Sequence, residues 1–197
     1  MAPRAKKREQ DLLHPRVTRA IWRAVLIELA RTGYQGLSME QVARRAGVGK
    51  AALYRRWRSR KAMVLDLVTA IELPIVPSVD KGSLHADLLE YIKGAVRLMR
   101  RPLARRLLPE FYAEMNRGGD LGQALRNKLL GPKSLQLQEL VERAKSRGEI
   151  NNSIDPRLAS ALIVGPIYWA WMIERCSFDE SSIATLATSL TAALKAN

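Results

Sequence analysis

Apolar residues recur along this chain at three- and four-residue spacings, and no two-residue alternation is sustained, so the pattern predicts helices throughout. Val17, Ile21, Val25 and Leu29 form the stripe of a first helix over residues 16–31, and Gly33 stops it. From residue 38 to 61 the text SMEQVARRAGVGKAALYRRWRSRK reads as two short helices joined by a glycine turn. Ser38 and Gln41 have the spacing of a capping box, with hydroxyl and amide each expected to satisfy a free backbone N–H. Met39, Val42, Ala43 and Ala46 make the inward face of the first helix, and Gly47 supplies a turn that needs positive φ. Leu53 and Trp57, four residues apart, give the second helix its inward face. Ser59 caps a fourth helix that carries Met63, Leu67 and Ile71 inward.

Residues 73–83, LPIVPSVDKGS, hold two prolines and a glycine and so predict a connection and a domain boundary. Ser83 then caps a fifth helix with Leu84, Leu88, Tyr91, Ala95 and Leu98 in register. A sixth helix covers 103–116, bent or interrupted at Pro109, and a seventh covers 121–147, kinked at Gly131-Pro132 and closed by Gly148. Asp155-Pro156 opens an eighth helix, and a ninth runs from Ser181 or Ser182 to Leu194. The eighth is apolar nearly all round: Leu158, Leu162, Trp169 and Met172 on one side, Ile163, Ile167 and Ala170 on another. Such a helix needs cover on both sides. The ninth adds Ile183, Leu186, Ala187, Leu190 and Leu194, with small Ala184, Thr188 and Ala192 beside them. Together they predict a homodimer through helices 8 and 9, residues 155–194, in a two-fold four-helix contact. A central core helix is the alternative reading of helix 8.

Charge sharpens the picture. The 197 residues carry a formal net charge of +14, and residues 1–61 hold 16 Lys/Arg against 4 Asp/Glu, a net of +12. Residues 62–197 hold 17 against 15. An excess gathered on one third of the chain predicts a polyanionic partner, whereas a merely solubilising surface or a nonspecific chromatin-type binder would spread it. The longest apolar stretch, 163–173, is about half a bilayer span, and no hydrophobic segment follows the basic residues at the N-terminus. No membrane association is expected, and the location is expected to be cytoplasmic.

A helix pair with one apolar and one basic, aromatic-tipped side is shaped to enter the DNA major groove, its second helix presenting N-terminal residues to base edges. Lys50 and Ala51 hold that position and Arg55 lies one turn later, with guanine O6/N7 and a thymine methyl as partners for Arg55 and Ala51. Ser38, at a helix N-terminus, suits a phosphate. Arg56 joins the DNA-binding candidates, with a solvated face as the competing reading for it and for Arg58. The run AGVGKAA followed by LYRRW and SRK resembles the helix-turn-helix of the TetR (tetracycline-repressor) family of bacterial transcription regulators. Ala43, Gly47, Val48, Leu53, Tyr54 and Trp57 sit at the family's spacings within roughly the first 70 residues. Two departures are Arg60, where the family usually has lysine, and Ala52, often Thr or Ser. The resemblance implies that the Tyr54 hydroxyl holds a phosphate, that Arg60 clamps another, and that the regulator is a repressor. The expected architecture is all-α with about nine helices: a flexible basic arm over 1–15, an N-terminal three-helix DNA-binding domain with the helix-turn-helix within 16–73, and a helical effector-binding and dimerisation domain over 83–197.

The expected partners are double-stranded operator DNA, a second copy of the chain and a small-molecule effector of unknown identity; no cofactor or metal is expected. Tyr91, Met99, Phe111, Met115, Trp169 and Met172 are the candidate effector contacts, because aromatic and methionine side chains suit a broad apolar cavity. Gly165-Pro166 is expected to open space beside Trp169. Glu110, Glu114 and Glu174 would meet a cationic ligand or make surface ion pairs. A DNA-binding dimer without an effector is the alternative. An enzyme fits poorly. Gly49-Lys50 lacks the remaining phosphate-loop residues at Arg44 and Ala51, and His14 and His85 form no cluster. Cys176 is read as a buried small hydrophobe.

Overall fold

The computed structural model describes residues 15–70 and 80–196, and among them it is all-helical, with nine helices and no strand. They are α1 (Pro15–Thr32), α2 (Met39–Ala46), α3 (Lys50–Arg56), α4 (Arg60–Ala70), α5 (Leu84–Met99), α6 (Pro102–Arg117), α7, α8 (Pro156–Tyr168) and α9 (Glu180–Lys195). The α7 helix comprises Gly119–Leu125, a π turn Arg126–Leu130 and Gly131–Ser146; a second π turn, Trp169–Ile173, extends α8. The expected arm, most of the 73–83 connection and Ile71 lie outside the described residues.

The chain divides into two compact units, Met1–Glu72 with Arg105–Lys128, and Leu73–Ala104 with Leu129–Asn197. In the first, Ile21, Val25 and Leu29 of α1, Val42 of α2, Leu53 of α3 and Met63 and Leu67 of α4 are all essentially solvent-free. At roughly 1.5–3 kcal/mol for each fully buried large aliphatic side chain, this small core outweighs the marginal intrinsic stability of helices of seven and eight residues. The segment from α6 and α7 belongs to the same unit: Lys61 pairs with Asp120, and the Lys128 ammonium donates to the Thr69 carbonyl at 3.0 Å. That pairing raises the Lys61 pKa and lowers that of Asp120.

The second unit is built on α5, the later part of α7, α8 and α9. Leu84, Leu88, Ile92 and Val96 pack with Leu140, Val141, Ile163, Ile167, Leu190 and Leu194. The buried face of α5 thus passes through Ile92 and Val96, leaving Tyr91, Ala95 and Leu98 half-buried at its flank. Asp87, whose side chain is fully buried, accepts from the Arg147 guanidinium at 3.0 Å and the Lys81 N–H at 2.6 Å. Pairing and hydrogen bonding keep that buried charge tolerable and tie the start of α5 to the end of α7.

Several local expectations are corrected. The α6 helix runs unbroken through Pro109, carried by the buried Leu107, Leu108, Phe111 and Met115 around it. In α7 the distortion is a π turn just before Gly131-Pro132: proline offers no N–H to the preceding turn, and the widened turn absorbs the mismatch. The α9 helix starts ahead of both serines, at Glu180, because the Asp179 carboxylate accepts the Ser182 N–H at 2.7 Å and caps it. Cys176 is exposed, because it lies in the reversal between α8 and α9 that Arg175 enters with φ 56°.

Candidate nucleic-acid interface

The turn between α2 and α3 is set by Gly47, at φ 68°, whose N–H returns to the carbonyls of Ala43 and Arg44. Nothing would stand within 4 Å of a Cβ there, so the requirement for glycine is conformational rather than steric. Val48 closes the turn with its N–H on Ala43 O at 3.0 Å. Leu53 is fully buried and Trp57 is 4 % exposed, with its indole N–H donating to Asp66 at 2.9 Å. These anchors fix the rotation of α3, and they leave Lys50, Ala51 and Arg55 exposed together with the outer edge of Tyr54. The sequence therefore orients α3 with its cationic side outward.

Ser38 caps α2, accepting the Gln41 N–H at 3.4 Å, but the reciprocal half of the expected capping box is absent: the Gln41 side chain accepts from Arg44 instead. The Ser38 hydroxyl donates to Glu40 Oε2 at 3.0 Å. Glu40 Oε1 receives the Lys50 ammonium at 2.7 Å and the Tyr54 hydroxyl at 3.2 Å. Lys50 foremost, then backbone and Ser38 hydrogen bonds, hold the Glu40 carboxyl at a pKa of about 2, and Glu40 raises that of Lys50. Three of the residues singled out for DNA thus converge on a carboxylate that sequence reasoning passed over. The signal for it was a lone acidic residue in the first turn of α2, within an otherwise basic stretch.

Arg60, at the start of α4, lies 5.0 Å from the Tyr34 ring and donates to the Gln35 carbonyl at 2.5 Å and its side-chain oxygen at 3.3 Å. Arg56 does not lie on a solvated face. Its guanidinium sits 4.4 Å from the Trp57 ring and 5.7 Å from that of Trp22, with Nη1 donating to Thr18 at 3.1 Å. Packed in this way, Arg56 fastens α1 to α3, since the face it leaves from points at α1 while Arg55, one residue earlier, points away. Arg45, itself exposed, reaches the buried Glu28 carboxylate at 2.6 Å.

The effector candidates fall in both units. Tyr91 and Met99 flank the core of the second, while Phe111 and Met115 are buried in the first. Trp169 is 57 % exposed, its indole N–H donating to Glu174 at 3.0 Å, and Met172 is half-buried in the same π turn. The helix continues through Pro166, and the irregularity comes three residues later. Glu114 is buried and paired with Arg117 at 2.9 Å. Among the described residues no helix is long and apolar enough to cross a membrane.

Residues 22–67 match the family model for bacterial regulatory proteins of the tetR family, and residues 78–190 match that for the tetracyclin repressor-like C-terminal domain. A DNA-binding transcriptional repressor TetR of Mycobacteroides abscessus is 29 % identical over 140 residues, covering 71 % of this chain and 73 % of its own. The crystal structure of the TetR family transcription regulator SCO0332 superposes with a TM-score of 0.63 at 28 % identity, over 89 % of this chain and 97 % of its own. That of FadR from Bacillus subtilis, in complex with stearoyl-CoA, gives 0.66 at 18 % identity, over 90 % and 97 %. Two family models covering both halves, on a fold whose second helix of the pair turns its basic side outward, make this chain a DNA-binding transcription regulator of the TetR family.

Proposed function

We propose that the chain is a ligand-responsive repressor that binds a palindromic operator as a homodimer and leaves it when a small molecule binds. The observation that carries the reading is the outward face of α3, where Lys50, Ala51 and Arg55 stand exposed over the buried Leu53 and Trp57. Arg55 reads a base edge, Ala51 gives apolar contact, and Ser38, Tyr54, Lys50 and Arg60 hold backbone oxygens or neighbouring edges. The repressor sense is supported by the Mycobacteroides relative, which carries that description.

Dimerisation is supported by α8 and α9. One side of α8 is buried in the second unit, and the other presents Leu158, Ala161, Gly165, Trp169 and Ile173 to solvent. Beside it α9 presents Ala184, Thr188 and Ala192. An exposed apolar helix face bordered by small residues suits a two-fold contact, and two-fold protein symmetry imposes a palindrome on the site.

The domain layout is 16–73 for DNA and 83–197 for effector and partner, with action in the cytoplasm. Effector control draws on Tyr91, Met99, Trp169 and Met172, and on the FadR neighbour, whose crystal structure is a complex with stearoyl-CoA. Phe111 and Met115 serve the core of the first unit in the free protein. A molecule that favours the DNA-incompatible form must be weakened by operator DNA by the same factor that it weakens DNA binding. A footprint on a selected duplex, repeated with stearoyl-CoA and with hydrophobic cations, tests the whole reading. Protection of two symmetric half-sites, lost on adding one of these compounds, is the expected result. Protection unaffected by any effector class would favour a DNA-binding dimer without an effector, and absence of protection would overturn the reading.

A further inference from the structure

Residues 16–61 contain two carboxylates, and they are differently placed. Glu28 is buried and held by Arg45 and Arg31. Glu40 is half exposed, and the donors that converge on its two oxygens are the Ser38 hydroxyl, the Lys50 ammonium and the Tyr54 hydroxyl. Ser38 and Tyr54 are phosphate-seeking donors in the reading above and Lys50 is a cation on the DNA-facing side, and they now surround an anion with two acceptor oxygens. A DNA phosphate presents the same charge sign and the same pair of acceptors.

We infer that Glu40 is an internal competitor for a phosphate seat, holding Ser38, Lys50 and Tyr54 in the free protein and yielding them to a backbone phosphate on DNA. The inference rests on the DNA-binding reading and adds to it a residue that sets affinity. An exposed ion pair contributes little to stability, so the contact is readily exchanged, and its main consequence is electrostatic. The displaced carboxylate stays beside the phosphate backbone and repels it, and it does so whatever the base sequence. Glu40 therefore lowers affinity for every duplex by a similar factor. This leaves base discrimination to Arg55 and keeps a domain carrying so much positive charge from being held at random sequence. The strongly lowered pKa agrees with a carboxylate already surrounded by donors.

The test measures affinity across a salt series for wild type and Glu40→Gln, on a duplex selected by the protein and on one of random sequence. The glutamine keeps the shape and an acceptor oxygen while removing the charge. Expected is tightening on the order of tenfold on both duplexes at low salt, with the slope of log affinity against log salt steeper by about one. In a Lys50→Ala background the tightening should shrink, because the freed ammonium carries part of it. A Glu40→Gln protein that binds both duplexes as wild type does, or more weakly, overturns the inference and makes Glu40 a positioning residue for Lys50 and Tyr54. Tightening confined to the selected duplex also overturns it. If wild type binds neither duplex, the DNA-binding reading fails first, a result separable from the others because it appears before any substitution is made.

Discussion

Neighbouring arginines in this chain have opposite placements, and the difference is one of direction. Arg55 and Arg56 leave α3 about a quarter-turn apart, so one reaches solvent while the other lies against Trp57 and Trp22. Arg55→Ala should cost about 1–3 kcal/mol of binding and relax preference at one base position. Arg56→Ala should leave that preference intact and lower the unfolding midpoint, as chemical denaturation beside duplex selection would show. Unchanged selection in Arg55→Ala would move the base-reading role elsewhere. Glu40 supplies a pH prediction. Its folded pKa of about 2 lies below the ordinary value of 4.5, so its contribution to stability is complete above about 4.5 and is lost as pH falls toward 2. Glu40→Gln should flatten that part of the acid limb in denaturant titrations and, near neutrality, lack the small contribution that the charged carboxylate makes there. An identical acid limb would mean that the carboxylate is free in solution.

Helix punctuation was largely legible at the level of elements, because caps and turns are local chemistry. Ser38, Ser59, Ser83 and Asp155 each accept a backbone N–H at a helix start, as their spacing required. Gly47 is the clearest case. With open space around its Cα, Gly47→Ala should destabilise by about 1–2 kcal/mol through the left-handed backbone alone, measurable by thermal or urea unfolding. A neutral outcome would show that the turn relaxes out of that region. Prolines inside helices were less legible. Pro109 is absorbed without a break, whereas α7 widens into a π turn just ahead of Pro132. Spacing alone does not encode the difference.

For the whole molecule, the apolar stripe along α8 is the feature with the largest consequence. Leu158 and Trp169 are more than half exposed on one chain, and covering them in a two-fold contact would remove that apolar area from water. Light scattering coupled to size exclusion should give twice the 22.1 kDa chain mass at micromolar concentration. Leu158→Glu combined with Trp169→Glu should give the single-chain mass while the helical circular dichroism persists. A wild-type protein that elutes as a monomer would remove the dimer and, with it, the argument for a palindrome.

By itself the sequence determined the helical content, the helix-turn-helix and the side of α3 that faces outward. All of these follow from contacts within a few residues: i, i+4 apolar pairs, caps, and a glycine whose φ must be positive. The concentration of positive charge was likewise a property of the chain before it folded. Only the tertiary structure decided the placements that depend on residues distant in sequence. It drew Arg105–Lys128 into the compact unit of the helix-turn-helix, buried Asp87 against Arg147 sixty residues away, and fastened Arg56 to α1. It also gathered Ser38, Lys50 and Tyr54 around Glu40. Periodicity reports which face of a helix is covered, but the identity of what covers it is fixed by where the other helices pack.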